Sequence, residues 1–348
     1  MRSKLVVFTM FVVLAMVLAG CGQATPTPAP TPTVAAPALK VGEVTDTGGI
    51  DDKTFNATAW KGVQQAIDEL GVEGTYLESN QPTDYAKNIT EYLNQDYDLI
   101  ITVGYLLGDD TSTAAAANPD RNFAIVDNAY DPEIANVLAL TFSTDQAAFL
   151  AGYLAAGMTQ TGIVGTFGGM EIPTVTVFMV GFANGVAYYN QQKGTNVQVL
   201  GTDTYVGNFD STDDGRRMGE SLMDEGADII MPVAGPVGVG TAAAVLERGK
   251  MMIGVDTDMT VSAPEYKSIL LTSVLKNMDV AVFDTIKAVQ DGTFKGGTYV
   301  GTLENGGVGL APYNDLDSKV PQELKDEITQ LQKDLIAGTV STGWPVSE

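Results

Sequence analysis

The sequence contains no histidine and only one cysteine in 348 residues. Without histidine the commonest general base, the Ser-His-Asp triad and most zinc sites are lost together. Carboxylate-only hydrolases and magnesium enzymes survive that test, whereas most hydrolase and redox classes do not. With Cys21 alone, no intramolecular disulfide can form. Basic residues are scarce too: 19 Lys and Arg stand against 43 Asp and Glu, a formal charge of −24. Charge of that sign is repelled by nucleic acid phosphates, so no nucleic acid partner is expected. It also argues against a domain held on anionic lipid by charge. Acidity suits an extracellular protein kept in solution by its charge and is silent about a ligand.

What is present starts at the N-terminus. Arg2 and Lys4 lead into an apolar run from Leu5 to Leu18, which ends in Leu18-Ala19-Gly20-Cys21. That is the charged, apolar, small-residue order of a secretory signal, and the run is short for a membrane span of about 20 residues. The ending resembles a bacterial lipobox, in which the Cys is lipidated and becomes the first mature residue. Residues 1–20 are therefore expected to be a removed signal peptide; loss of Arg2 and Lys4 takes the charge from −24 to −26. Residues 21–38 are expected to be the lipidated Cys21 followed by an uncharged Pro/Thr/Ala-rich tether. Stable anchoring needs more than one acyl chain. The expected location is the extracytoplasmic face of the cell membrane.

The remaining 310 residues, from Leu39 to Glu348, exceed one ordinary core and predict two lobes. Short β-branched runs predict strands at Lys40–Val44, Asp98–Val103, Asn122–Val126, Val137–Phe142, Thr161–Phe167, Val197–Tyr205, Asp228–Val233, Met251–Val255 and Ile269–Leu275. Continuous apolar strands are those of a sheet buried on both faces. Helical spacing occupies Phe55–Leu70, Asp145–Met158, Val175–Gln192, Asp213–Glu225, Thr241–Arg248 and Met278–Gln290. The second of these follows Ser143-x-x-Gln146, a capping-box pattern. Such alternation means parallel sheets with helices on both faces.

An internal echo sharpens the reading. Asp98-Leu-Ile-Ile-Thr-Val-Gly104 leads through an Ala-rich stretch to Asp127, and Asp228-Ile-Ile-Met-Pro-Val-Ala-Gly235 leads likewise to Asp256. The first and last Asp are 29 positions apart in one copy and 28 in the other. Ligands of open parallel sheets bind beyond the carboxyl ends of the strands, so Asp127 and Asp256 are expected to face one cleft between two similar lobes. Gly235-Pro-Val-Gly-Val-Gly240-Thr241 has the glycine spacing of a phosphate loop, with Thr241 where the lysine belongs. Triphosphate binding is not expected there.

Asp46-Thr-Gly-Gly-Ile-Asp-Asp-Lys-Thr-Phe-Asn56, with Ala59-Trp60-Lys-Gly62 behind it, resembles the opening of the basic membrane protein family. Further blocks match in order: Phe123–Asp127, Gly165-x-x-Gly168-Gly-Met-x-Ile-Pro173, Gly181-Phe-x-x-Gly185, Tyr205-Val-Gly-x-Phe209-x-Ser, Gly226-Ala-Asp-x-Ile230, Gly254-Val-Asp256-x-Asp258 and Thr272-Ser-x-x-Lys276-Asn. Together they cover residues 39–315. The family consists of substrate-binding lipoproteins of ABC importers, the best understood being purine nucleoside receptors. The resemblance implies a type I periplasmic-binding-protein fold: two doubly wound parallel-sheet lobes joined by three crossovers. Residues 39–143 plus 277–295 would form the N-terminal lobe and 144–276 plus 296–348 the C-terminal lobe. A monomer, permease subunits as partners and no cofactor or metal are implied.

Site roles follow from the same resemblance. Phe55 and Phe209 match aromatics that sandwich the base. Asn56 and Asp127 match groups that bond its edge. Asp256 matches the carboxylate on the ribose hydroxyls, Lys276 the ribose-side cation that also offsets Asp256, and Gly235 a backbone contact at the sugar. Asp46 and Asp258 are further candidates. Thr54 stands where the family usually shows Ser, at a helix start where either residue can cap. Trp60 is expected in lobe packing. Other readings of the same fold are a sugar or other small polar ligand, or a signalling receptor. A nucleoside hydrolase using Asp256 and Asp258 with a metal has too few carboxylates for a calcium site, so a non-enzyme is expected.

Overall fold

The computed structural model describes residues 38–345. The expected signal peptide, Cys21 and the tether up to residue 37 lie outside the described residues. The chain opens with β1 (Lys40–Val44), α1 (Phe55–Leu70), β2 (Glu73–Leu77), α2 (Tyr85–Asn94), β3 (Leu99–Val103), α3 (Gly108–Ala117), β4 (Asn122–Val126) and β5 (Val137–Phe142). It continues through α4 (Thr144–Met158), β6 (Ile163–Gly168), α5 (Pro173–Lys193), β7 (Gln198–Leu200), α6 (Thr212–Asp224), β8 (Ile229–Val233), α7 (Pro236–Glu247), β9 (Met251–Asp256), α8 (Met259–Ser262) and β10 (Leu270–Lys276). α9 (Met278–Gln290), β11 (Gly297–Gly301), β12 (Val308–Leu310) and α10 (Gln322–Ile336) complete it.

Two six-stranded sheets result, ordered β11-β5-β4-β3-β1-β2 and β12-β10-β9-β8-β6-β7. All pairings are parallel except that of β12 with β10. Alternate side chains of the first sheet go to opposite cores. Val41, Leu99, Ile101 and Val126 pack with α1 and α9, while Val44, Ile100, Phe123 and Ile125 pack with α2 and α3. The second sheet repeats this, with Val164, Ile229, Met231 and Val255 toward α4 and α5 and Phe167, Ile230 and Met252 toward α6 and α7. Each fully buried Ile, Leu or Phe contributes about 1.5–3 kcal/mol, which explains why short, purely apolar strands suffice. The expected two-lobed α/β fold is present.

The chain passes between the lobes three times: after β5, after β10 and after β11. The passages are laced together by hydrogen bonds. Ser143 N–H donates to Gly301 O (2.8 Å) and Asn277 N–H to Gly307 O (2.9 Å). The amide of Asn277 donates to Gly306 O (2.7 Å), and Gln146 Oε1 accepts from Leu303 N–H (2.9 Å). Ser143 makes no side-chain cap for α4; of the expected capping box, the Ser143 N–H and the Gln146 side chain bond across the crossover and not to each other. β11 pairs along its length with β5, so the last return to the second lobe follows Gly301, not residue 295. The strand expected at Val197–Tyr205 stops at Leu200. Gly201 stands there at φ +77°, and a Cβ would lie 2.2 Å from Thr166 O; the chain turns where only glycine fits.

The echo is structural. β3-α3-β4 and β8-α7-β9 occupy the same places in their sheets. The leading aspartates tie down neighbouring backbone. Asp98 accepts from Lys40 N–H (2.8 Å), and Asp228 accepts from the N–H groups of Gln160 (2.8 Å) and Thr161 (3.1 Å). The closing aspartates, Asp127 and Asp256, both have left-handed backbone, at φ 72° and 70°. That conformation is uncommon outside glycine, and it aims both side chains the same way relative to their sheets.

Candidate ligand cleft

Residues at the carboxyl ends of β1, β3, β4, β8, β9 and β10 line one cleft of about 570 Å³ of atom-free space, part of it open to solvent. The first lobe supplies Asp46, Asp52, Phe55, Asn56, Tyr105 and Asp127; the second supplies Phe178, Phe209, Gly235, Asp256 and Lys276. Every principal candidate named from the sequence, and Asp46, is thus in the wall. Asp258 is not. Its Oδ1 accepts from Thr260 N–H (2.9 Å) and Thr260 Oγ1 (2.6 Å), capping α8. Asp256 and Asp258 therefore do not converge, and among the described residues no three Asp, Glu, His or Cys are grouped to hold a metal ion. Trp60 packs edge-on against Tyr76, with ring centroids 5.1 Å apart, outside the cleft.

The α1 end of the cleft is organised by Asp52, a residue with no assigned role in the sequence reading. Its carboxylate accepts from the N–H groups of Thr54 (3.0 Å), Asn56 (2.7 Å) and Ala57 (3.0 Å). Those are orphan donors of a helix start, where a carboxylate also meets the positive end of the helix dipole. Thr54 makes no side-chain cap, so Asp52 does the capping expected of it. The Asp-Asp pair ahead of Phe55 was the available signal. Burial nonetheless pushes the Asp52 carboxyl up to about 7, against the pull of these three bonds.

Asn56 was expected to offer its amide to a ligand. In the structure Nδ2 donates to Asp46 Oδ1 (2.8 Å) and Asp52 Oδ2 (3.2 Å), and Oδ1 accepts from Asp46 N–H (3.4 Å). Asn56 is a brace, and the acceptor it presents to the cleft is Asp46. Burial raises Asp46, while Asn56 and Gly48 N–H pull it back.

Lys276 is expected beside Asp256, yet its Nζ bonds Asp127 Oδ2 in the opposite lobe. The ammonium is buried and lies 4.9 Å from the Phe55 ring centroid, 5.5 Å from Phe142 and 5.8 Å from Phe178. Such rings favour a cation on their faces. Asp127 is raised by burial and lowered by Lys276. Asp256 is left without a hydrogen-bond donor among the described residues. Burial pushes it up to about 6, with Lys276 pulling down and Asp127 and Asp46 pushing further up.

Phe55 and Phe209 are both half-buried, one from each lobe. Phe209 rests on Gly169, where a Cβ would lie 2.4 Å from the ring; glycine there lets the ring close against the backbone. The wall thus offers four aromatic side chains, Phe55 and Phe209 among them, four carboxylates of which Asp46, Asp127 and Asp256 follow strand ends, and one cation.

Comparison with known proteins agrees with this architecture. Residues 39–342 match the family model described as ABC transporter substrate-binding protein PnrA-like. The chain is 33% identical over 323 residues to the ABC transporter nucleoside-binding protein BmpA of Lactococcus lactis subsp. cremoris, covering 87% of this chain and 88% of that one. It is 34% identical to an uncharacterized lipoprotein of Pyrococcus horikoshii, over 91% of this chain and 78% of that one. An ABC transporter solute-binding protein from Aeropyrum pernix K1 superposes with a TM-score of 0.80 at 28% identity, covering 87% of this chain and 92% of that one.

Proposed function

This chain belongs to the PnrA-like family of ABC transporter substrate-binding proteins, and on that premise we propose that it is a non-enzymatic receptor for a purine nucleoside. The lobes close on the ligand by hinge motion, and the loaded form delivers it to a membrane permease. A lipid on Cys21 holds the receptor at the extracytoplasmic face. The observation that carries this reading is the pairing of two cleft aromatics, Phe55 and Phe209, with Asp256, a buried carboxylate that no donor among the described residues satisfies. A flat base gains offset stacking between rings, and a ribose diol supplies the donors that Asp256 lacks. Charge-assisted bonds of that kind are about twice as strong as neutral ones. Asp46 and Asp127 accept from the base edge. A nucleotide fits poorly, because its phosphate would meet carboxylates with Lys276 already engaged by Asp127.

The test uses pH. If ionised Asp256 grips the sugar, guanosine affinity is flat above about pH 7 and falls through its value of about 6. Protonation then weakens binding by about tenfold at one pH unit below that value. The ligand-free fold goes the other way. A carboxyl raised on folding gives stability that is present below its unfolded value, near 4, and is lost as pH rises through about 6. Acidification from pH 7 to 5 is therefore expected to raise the melting temperature of the empty protein while weakening guanosine binding. Calorimetric titrations and thermal melts across pH read both. Asp256→Asn should flatten the binding profile and cost ribosides more affinity than free bases; equal losses for both would remove Asp256 from the sugar site.

A further inference from the structure

Among the described residues, two ion pairs join the lobes across the cleft. The buried one is Lys276 with Asp127. The other is Lys53 Nζ with Glu265 Oε1 at 2.9 Å, with side chains 43% and 46% exposed. Lys53 lies outside the cleft wall, and none of the chemistry described above requires it. Its backbone is left-handed, at φ 63°, an unfavourable state for a lysine that persists only where surroundings impose it.

The surroundings are identifiable. Lys53 follows Asp52, whose carboxylate gathers the N–H groups of Thr54, Asn56 and Ala57. That single turn sends Phe55 into the cleft and Lys53 across to the other lobe. Glu265 lies in the 3-10 turn Pro264–Tyr266 just ahead of β10, whose last residue is Lys276. Both partners are thus fixed to elements that carry cleft residues, 212 positions apart in the chain. The pair can form only when the lobes are together.

We propose that Lys53 and Glu265 are a latch at the cleft mouth that stabilises the closed receptor and sets how fast a bound ligand leaves. The statement about ligand release rests on the cleft being the ligand site; the statement about closure does not. A half-exposed pair is worth at most about a fivefold shift in an equilibrium. Its effect belongs in opening and release, because it is absent from the open state that admits ligand. Half exposure also makes it sensitive to salt, which screens exposed charges far more than buried ones.

The test uses the full chain with Cys21→Ser and nitroxide labels on Asp109→Cys and Asp213→Cys, exposed positions in the first turns of α3 and α6. Lys53→Glu sets two carboxylates against each other. Expected in the ligand-free protein are longer label distances for Lys53→Glu and restoration in Lys53→Glu/Glu265→Lys. Guanosine release, followed by stopped flow, should be about two- to fivefold faster in Lys53→Glu at low salt. Association rates should be unchanged and the difference should close in 1 M salt. Identical distances in the parent and Lys53→Glu chains, or failure of the charge swap to restore them, overturns the latch. Restored distances with no guanosine binding would sink the nucleoside reading and leave the latch standing.

Discussion

Replacing Lys276 with methionine is expected to lower the melting temperature of the ligand-free protein by roughly 5–8 °C and to abolish measurable nucleoside binding. The ammonium is 2% exposed and bonds Asp127. Asp46 and Asp256 lie in the same cleft wall, each 8% exposed. Methionine fits the slot between Phe55, Phe142 and Phe178, so packing is retained while the charge is removed. Breaking a buried pair from one side costs about 3–5 kcal/mol, because the other charge stays behind uncompensated. The sign of the pH response identifies the cause. The carboxylates take up protons as pH falls, Asp256 near 6, so the deficit should shrink between pH 8 and pH 5. Lys276→Met/Asp127→Asn should recover most of the melting temperature. A deficit that is independent of pH and untouched by the second substitution would mean that Lys276 does not act through charge compensation.

Phe55→Ala and Phe209→Ala are each expected to weaken purine nucleoside binding about ten- to hundredfold, with the fold retained. Ring-on-base stacking contributes roughly 1–3 kcal/mol per face, and both rings are only half-buried without ligand, so truncation leaves the cores closed. Phe55 also lies 4.9 Å from Lys276 Nζ and packs on the first lobe's core, and Phe209 packs on the second lobe's core and on Gly169, so either loss should slightly destabilise the empty protein. Because both rings hold one base, the double substitution should cost less than the sum of the two. Unchanged affinity in both single variants would defeat the stacking model.

The sheet centres were legible because their strands are continuous apolar runs with helical spacing between them. The edges were not. β2 has mostly exposed residues, and β11 and β12 are glycine-rich. Such strands are specified by the neighbour they pair with, and β11 finds β5 more than 150 positions earlier. That is why the sequence pattern alone places residues 297–301 in the other lobe. At the cleft, the echo located Asp127 and Asp256, since strand-end positions follow from spacing alone. It did not reveal that Lys276 bonds Asp127 and not Asp256, because the choice depends on how one lobe meets the other. Nor did it show that Asn56 turns inward, that Asp258 caps α8 or that Asp52 caps α1. Asp52 and Asp258 are short side chains with local backbone N–H groups within reach, whereas Asn56 bonds Asp46, ten positions earlier, and only the turn geometry decides between these partners and the cleft.

The most direct measurement is calorimetric titration of the Cys21→Ser chain, refolded to strip carried-over ligand, with guanosine, inosine, adenosine, free bases, ribose and nucleotides. The account predicts one site for at least one purine nucleoside with a Kd between micromolar and nanomolar, about −8 to −12 kcal/mol, and no binding of ribose or nucleotides. Absence of heat with every nucleoside, or binding of ribose as tight as that of its nucleoside, would contradict it.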